Sequence, residues 1–177
     1  MLEGYSTFIR YKASIMSLRL SMRSTALAVA FAAAATIGGA YLFQYVWGYV
    51  PCKLCLWQRN PYYAGIVLAI LTALVPPPWR RAGLWLLALL FLASAMLGAH
   101  HAGVEWGFFA GPSDCGGGAG QQAGNVGDFL NQLQSTRVVS CTEAAWRLLG
   151  LSLAGWNVLV SLALAALSAR AARDGTA

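Results

Sequence analysis

The stretch AGLWLLALLFLASAMLGAHHA, Ala82 to Ala102, is apolar over nearly its whole length. About 20 helical residues, rising 1.5 Å each, cross the ~30 Å of hydrocarbon in a bilayer. Three more apolar stretches of near-spanning length stand at about 26–47, 56–75 and 151–169. Of the 177 residues 58% are hydrophobic and 10% charged, and the mean hydropathy is +0.58. A water-soluble domain of this length needs far more polar surface than that. The expected fold is therefore an all-α membrane protein, a four-transmembrane-helix bundle over residues 26–169. Its outer loops would be 48–55 and 103–150, flanked by tails at 1–25 and 170–177. No second domain is expected.

The first apolar run exceeds the ~7–15 residues of a signal-peptide core. It ends in Tyr41, Phe43, Tyr45, Trp47 and Tyr49, an aromatic series of the kind found at membrane interfaces. We read it as a retained helix, with Met16 and Met22 as alternative starts for the chain.

Net charge is +6, and its placement says more than its sum. Arg10, Lys12, Arg19 and Arg23 precede the first span, Arg80 and Arg81 follow the second, and Arg170 and Arg173 follow the fourth. Glu105, Asp114, Asp128 and Glu143 fall in the segment on the opposite side. The positive-inside rule then puts both termini and the Pro76-Pro77-Pro78 turn in the cytoplasm. Separate small clusters beside membrane spans are not a nucleic-acid surface. All four cysteines, Cys52, Cys55, Cys115 and Cys141, then emerge on the outer, oxidising side, where disulfides persist.

Small residues Ala30, Ala34 and Gly38 recur every four positions, which suggests a helix-packing face. The short link around Pro76–Trp79 makes the second and third helices antiparallel neighbours. The second helix has two candidate starts. Asn60-Pro61 can cap it and open it, or it can begin near Cys55 and carry Pro61 in its early turns. In the long outer segment, Gly116–Gly120 is a run of high backbone freedom. Val126, Phe129, Leu130 and Leu133 follow at i, i+3, i+4 and i+7. They predict a short amphipathic helix, lying at the membrane interface or on the bundle's own top.

A Cys-X-X-Cys pair alone fits half a zinc site, a redox disulfide or an inert pair. Structural zinc asks for four ligands, commonly as two paired sets. Here Cys115 and Cys141 have 25 residues between them, and the only histidines, His100 and His101, end a membrane span. We expect no metal. A structural disulfide between Cys52 and Cys55 closes too small a ring to stabilise much, whereas Cys115 and Cys141 would close a longer loop. Two pairs on one face favour a redox relay. Lys53, Arg59 and a helix N-terminus all favour a thiolate nearby. Arg59 reads either as a headgroup anchor or as a cationic donor to a quinone carbonyl. His100 and His101 read as polar anchors, or as groups facing a quinone head or donating protons. Glu105 is a candidate partner for them.

The run Pro51–Arg59, P-C-K-L-C-L-W-Q-R, resembles the disulfide-bond formation protein B (DsbB) family. The likeness extends over roughly 24–170, through the four spans, the outer cysteine pair and Cys141-Thr-Glu-Ala-Ala-Trp-Arg-Leu-Leu-Gly-Leu-Ser. It implies a relay that reoxidises a DsbA-like periplasmic thioredoxin-fold dithiol and passes the electrons to the quinone pool of the bilayer. The quinone would be ubiquinone or menaquinone. By position, Cys115 would be attacked by the partner, and Cys141, once released, would attack Cys52. Cys55 would be the thiolate facing the quinone, with Arg59 at the family's quinone-contacting arginine; His101, from its place at the outer end of the third span, is a further candidate quinone-binding residue. Gly116–Gly120 and Gly103-Val-Glu-Trp-Gly depart from the family's pattern, as in a divergent branch. Two rivals stand beside this reading. One is a carrier bringing reductant outward, and the other a membrane scaffold with structural disulfides.

Overall fold

The computed structural model describes residues 21–111, 125–127 and 141–175. Four long helices make up most of them. Helix α1, Met22–Tyr41, continues as a π-helical turn over Leu42–Val46. Helix α2 is Lys53–Leu74, α3 is Pro77–Glu105 and α4 is Leu153–Asp174. Three segments, Met22–Val46, Pro77–Glu105 and Leu153–Asp174, are long and apolar enough to cross a membrane. Helix α2 has the length but not the hydropathy, because Gln58, Arg59 and Asn60 follow one another in its second turn.

Of its two candidate starts, α2 takes the earlier. Cys52 is its N-cap, with Sγ accepting from the backbone N–H of Cys55 at 3.3 Å. Pro61 lies inside the helix, so the Asn60-Pro61 cap does not form. Only Val75 and Pro76 separate α2 from α3, and the two pack side by side. Prolines at the first positions of α3 need no backbone N–H partner, so the helix begins at Pro77, before the apolar run itself.

A two-stranded hairpin, β1 (Arg147–Leu148) against β2 (Leu151–Ser152), leads into α4. Its turn residues Leu149 and Gly150 both have positive φ, 53° and 82°, as a two-residue turn of right-handed twist demands. Ser152 then caps α4, accepting from Gly155 N–H at 3.2 Å. Of the expected amphipathic helix only Val126 and Gly127 are described, and they are helical. Phe129, Leu130 and Leu133 lie outside the described residues.

Helix α3 packs most extensively on α4, and α1 on α2. The core between them holds Ala26, Val29, Ala33, Leu84, Leu87 and Phe91, all fully buried. Gly65 makes room for the Phe91 ring, whose nearest atom would stand 2.7 Å from an added Cβ. The expected small-residue face of α1 is only partly right. Ala30 is buried, but Ala34 and Gly38 are exposed. The buried stripe runs Ala26, Val29, Ala33, Ile37, at the three-to-four spacing of one helix face. Large apolar side chains point outward instead, among them Phe31, Val67, Leu74, Leu89 and Met96. That inversion suits a surface facing lipid.

Candidate functional site

Four residues meet where the start of α2 lies against the end of α3. The Cys-X-X-Cys spacing across a cap and a first turn brings Cys52 Sγ to 3.1 Å from Cys55 Sγ. On α3, His101 and Glu105 are one turn apart and share a face. His101 Nε2 lies 3.6 Å from Cys52 Sγ and 3.8 Å from Glu105 Oε1. Both side chains are almost wholly enclosed, at 3% and 5% exposure. Glu105 Oε2 is buried without a hydrogen-bond partner among the described residues.

Cys52 stands just ahead of α2 and its thiol pKa is held well below the ordinary range. The hydrogen bond from the Cys55 side chain contributes most. Burial opposes it, and His101 and the Cys55 backbone N–H add to it. A reduced pair therefore shares a single proton, with the charge on Cys52.

The two sulfurs face different surroundings. Cys52 belongs to a small buried cluster with Leu54, Val104 and Cys141. Cys141 is 1% exposed and disulfide-bonded, while Cys52 and Cys55 are free thiols. Cys115 lies outside the described residues. Cys55 packs against the edge of that cluster and, unlike Cys52, also lines a cavity of about 250 Å³ between α1, α2 and α4. The walls are mostly apolar, with Ile37, Phe43, Leu153 and Val160 among them, and Arg59, Gln58 and Asn157 supply polar groups. Arg59 donates to Gln44 Oε1 at 2.8 Å, and its guanidinium lies 5.1 Å from the Tyr41 ring centre. It is thus held at the cavity wall by a neutral oxygen and an aromatic face.

His101 is not among the residues lining this cavity; it sits behind Cys52. His100 stacks on Phe109 with ring centres 5.4 Å apart and remains exposed. Lys53 lies near the Trp57 ring, 5.4 Å from its centre.

Sequence reasoning missed what joins the two sides. His101 Nδ1 is hydrogen-bonded to Gln58 Nε2, and Gln58 Oε1 accepts from Asn157 Nδ2 at 2.6 Å. Tyr62 OH donates to Asn157 Oδ1 at 2.6 Å and lies 2.9 Å from Ser161 Oγ, which donates to Ser94 Oγ at 3.0 Å. A polar chain thus runs from the thiols into the middle of the bundle. With its carbonyl engaged by Asn157, Gln58 presents an N–H to Nδ1, leaving the ring proton on Nε2. Gly98 lets Asn157 in, since an added Cβ would stand 2.9 Å from its Nδ2. Gln58 falls three residues after Cys55 and Tyr62 four after Gln58, so one helix face already hinted at the chain. Asn157, about 100 positions away, carried no local signal.

Comparison with known proteins agrees with this geometry. Residues 22–171 match the family model described as disulfide bond formation protein DsbB. An uncharacterized protein of Rickettsia prowazekii is 31% identical over 71% of this chain and 73% of its own. Disulfide bond formation protein B of Methylococcus capsulatus is 33% identical over 76% and 84%. That of Xanthomonas oryzae is 30% identical over 85% and 91%. No solved structure matches. Spanning helices, a capped Cys-X-X-Cys and a match over most of its length agree: the chain belongs to the DsbB family of disulfide bond formation proteins.

Proposed function

We propose that this chain is a thiol:quinone oxidoreductase that reoxidises a DsbA-like, thioredoxin-fold dithiol and delivers the electrons to a membrane quinone. Membership in the disulfide bond formation family supports the first half. The observation that carries the second is that Cys55 and Arg59 line one apolar cavity while Cys52 turns away from it towards Cys141.

The partner's thiolate attacks at Cys115, and Cys141 leaves with the electron pair. Cys141 then attacks Cys52 Sγ and breaks the Cys52–Cys55 disulfide, releasing Cys55 at the cavity wall. The partner's second thiolate then releases Cys115, and Cys115 re-forms its disulfide with Cys141 and frees Cys52. The Cys52/Cys55 pair closes again to a disulfide as a quinone bound at the cavity accepts the two electrons and two protons. Arg59 offers N–H donors where a carbonyl oxygen would gain negative charge. The mostly apolar cavity has the character of a site for a flat ring, and its volume is near the low end of ~300–1,000 Å³ small-molecule pockets. The net reaction is partner dithiol plus quinone to partner disulfide plus quinol.

In this reading α2 crosses the membrane as the fourth span, both termini face the cytoplasm and the cysteines face the periplasm. The test is quinol formation from ubiquinone or menaquinone with a reduced thioredoxin-fold partner. Wild type should turn over and Cys55→Ser should not. Equal quinol formation by the two would leave the scaffold with structural disulfides as the better account.

A further inference from the structure

We propose that the reduced protein carries a redox-gated site for one thiophilic divalent cation of the Zn²⁺ class, held by Cys52, Cys55 and His101 with the Glu105 carboxylate beside His101. The sequence argued against metal because Cys115 and Cys141 are not a closely spaced pair and the only histidines end a membrane span. Folding removes that objection. Cys52 Sγ, Cys55 Sγ and a His101 ring nitrogen all lie within 4.8 Å of one another.

A tetrahedral ion bonded at ~2.3 Å to sulfur and ~2.0–2.2 Å to nitrogen or oxygen has ligand–ligand edges of about 3.4–3.8 Å. The corresponding separations are 3.1 Å between the sulfurs, 3.6 Å from Cys52 Sγ to His101 Nε2 and 3.8 Å from Nε2 to Glu105 Oε1. Between the two sulfurs, closing on an ion asks for a movement of under an ångström, and no separation within the three-ligand cluster exceeds 4.8 Å. Glu105 supplies the independent sign. Its carboxylate is 95% enclosed, one oxygen faces His101 and the other has no hydrogen-bond partner among the described residues. A buried carboxylate so placed is short of positive charge, and a divalent cation between it and the sulfurs supplies that charge.

The surroundings accommodate the change at His101. Ligation through Nε2 moves the ring proton to Nδ1, where an acceptor is then needed. Turning the Gln58 and Asn157 amides over together provides one. Gln58 Oε1 takes the Nδ1 proton, Gln58 Nε2 donates to Asn157 Oδ1, and Asn157 Nδ2 donates to Tyr62. The contacts from His101 through Gln58 and Asn157 to Tyr62 survive with their sense reversed.

Binding displaces the one proton the reduced pair retains: the thiol–thiolate pair plus M²⁺ gives the bis-thiolate complex plus one proton. The disulfide form has no thiolate and does not bind. Under the function proposed above, on which this consequence alone rests, the metal-bound chain must lose its ion before passing two electrons on. The cation then acts as an inhibitor of turnover, selective for the reduced state.

The test uses the full chain in detergent, in a Cys115→Ser/Cys141→Ser background, reduced with a phosphine and titrated with Co²⁺. One Co²⁺ per chain should bind, with a near-ultraviolet thiolate-to-metal band and the intense visible bands of a tetrahedral site, and Zn²⁺ should displace it. The oxidised form should show neither. Cys52→Ser and Cys55→Ser should each weaken the charge-transfer band, and Glu105→Gln should lower affinity about tenfold or more. Unchanged far-ultraviolet circular dichroism identifies folded variants, and Zn²⁺ protection of the thiols from alkylation in the unsubstituted pair gives a second readout. Absence of the band and of protection in the reduced chain would overturn the site, as would a band unaltered by Cys52→Ser. Co²⁺ binding is read without quinone, so a chain that binds the ion yet forms no quinol refutes the oxidoreductase reading and leaves the site standing.

Discussion

Cys52 and Cys55 are three residues apart, yet their surroundings differ, because it is Cys52 that has His101 at 3.6 Å. A depressed pKa makes ionised Cys52 a stabilising feature of the reduced fold. The gain is fully present above the ordinary thiol pKa, ~8.5, and is lost as pH falls through the depressed value. Metal-free reduced protein lacking Cys115 and Cys141 should therefore show thiolate absorbance at 240 nm already at pH 7. The difference from Cys52→Ser isolates it, and an amplitude that first appears near pH 8.5 would contradict the assignment. His101→Ala should move the midpoint upward. Arg59 acts through its fork of donors as well as its charge. Arg59→Lys should raise the quinone KM several-fold and Arg59→Gln more, with little effect on exchange between Cys141 and Cys52. An effect of equal size on exchange would place Arg59 in the thiol chemistry instead.

At the scale of elements, the decisive event is where α2 begins. Its amino-terminal turn is polar, so hydropathy alone starts the helix late, whereas Cys52 caps it and draws Lys53–Asn60 into it. That early start carries Cys55, Gln58, Arg59 and Tyr62 on one continuous helix, so Cys55, Gln58 and Arg59 reach the same cavity. The hairpin before α4 shows the opposite case, a local conflict tolerated by the fold. Leu149 is 85% exposed and has φ 53°, a region costing a non-glycine residue about 1–2 kcal/mol. Leu149→Asn should therefore stabilise the protein by about 1 kcal/mol in a thermal melt in detergent. A lowered melting temperature would mean that the leucine side chain itself anchors the hairpin. Ser152→Ala, which removes the cap of α4, should cost about 1 kcal/mol in the same measurement.

For the whole molecule, the proposed topology is tested from outside the cell. A membrane-impermeant maleimide should label single cysteines placed at Gly48 or Gly107 and spare one placed at Trp79. The reverse pattern would put the thiols in the cytoplasm and end the periplasmic reading. Spans, charge asymmetry and the Cys-X-X-Cys are local properties of the chain, written in composition and spacing, and so the helical membrane class was legible before any folding. The resemblance through Pro51–Arg59 was legible for the same reason. The face of α1 that packs was not, since Ala34 and Gly38 have the right spacing but the wrong azimuth, and azimuth is set by neighbouring helices. Nor were His101 against Cys52, the orphaned oxygen of Glu105, or the chain through Gln58 and Asn157. Those contacts join α2 to α3 and α4 across 43 to 99 positions. The sequence by itself determined which residues can exchange electrons, because that chemistry belongs to single side chains. Only the tertiary structure decided which sulfur meets the histidine and which meets the cavity, because that depends on how three helices lie against one another.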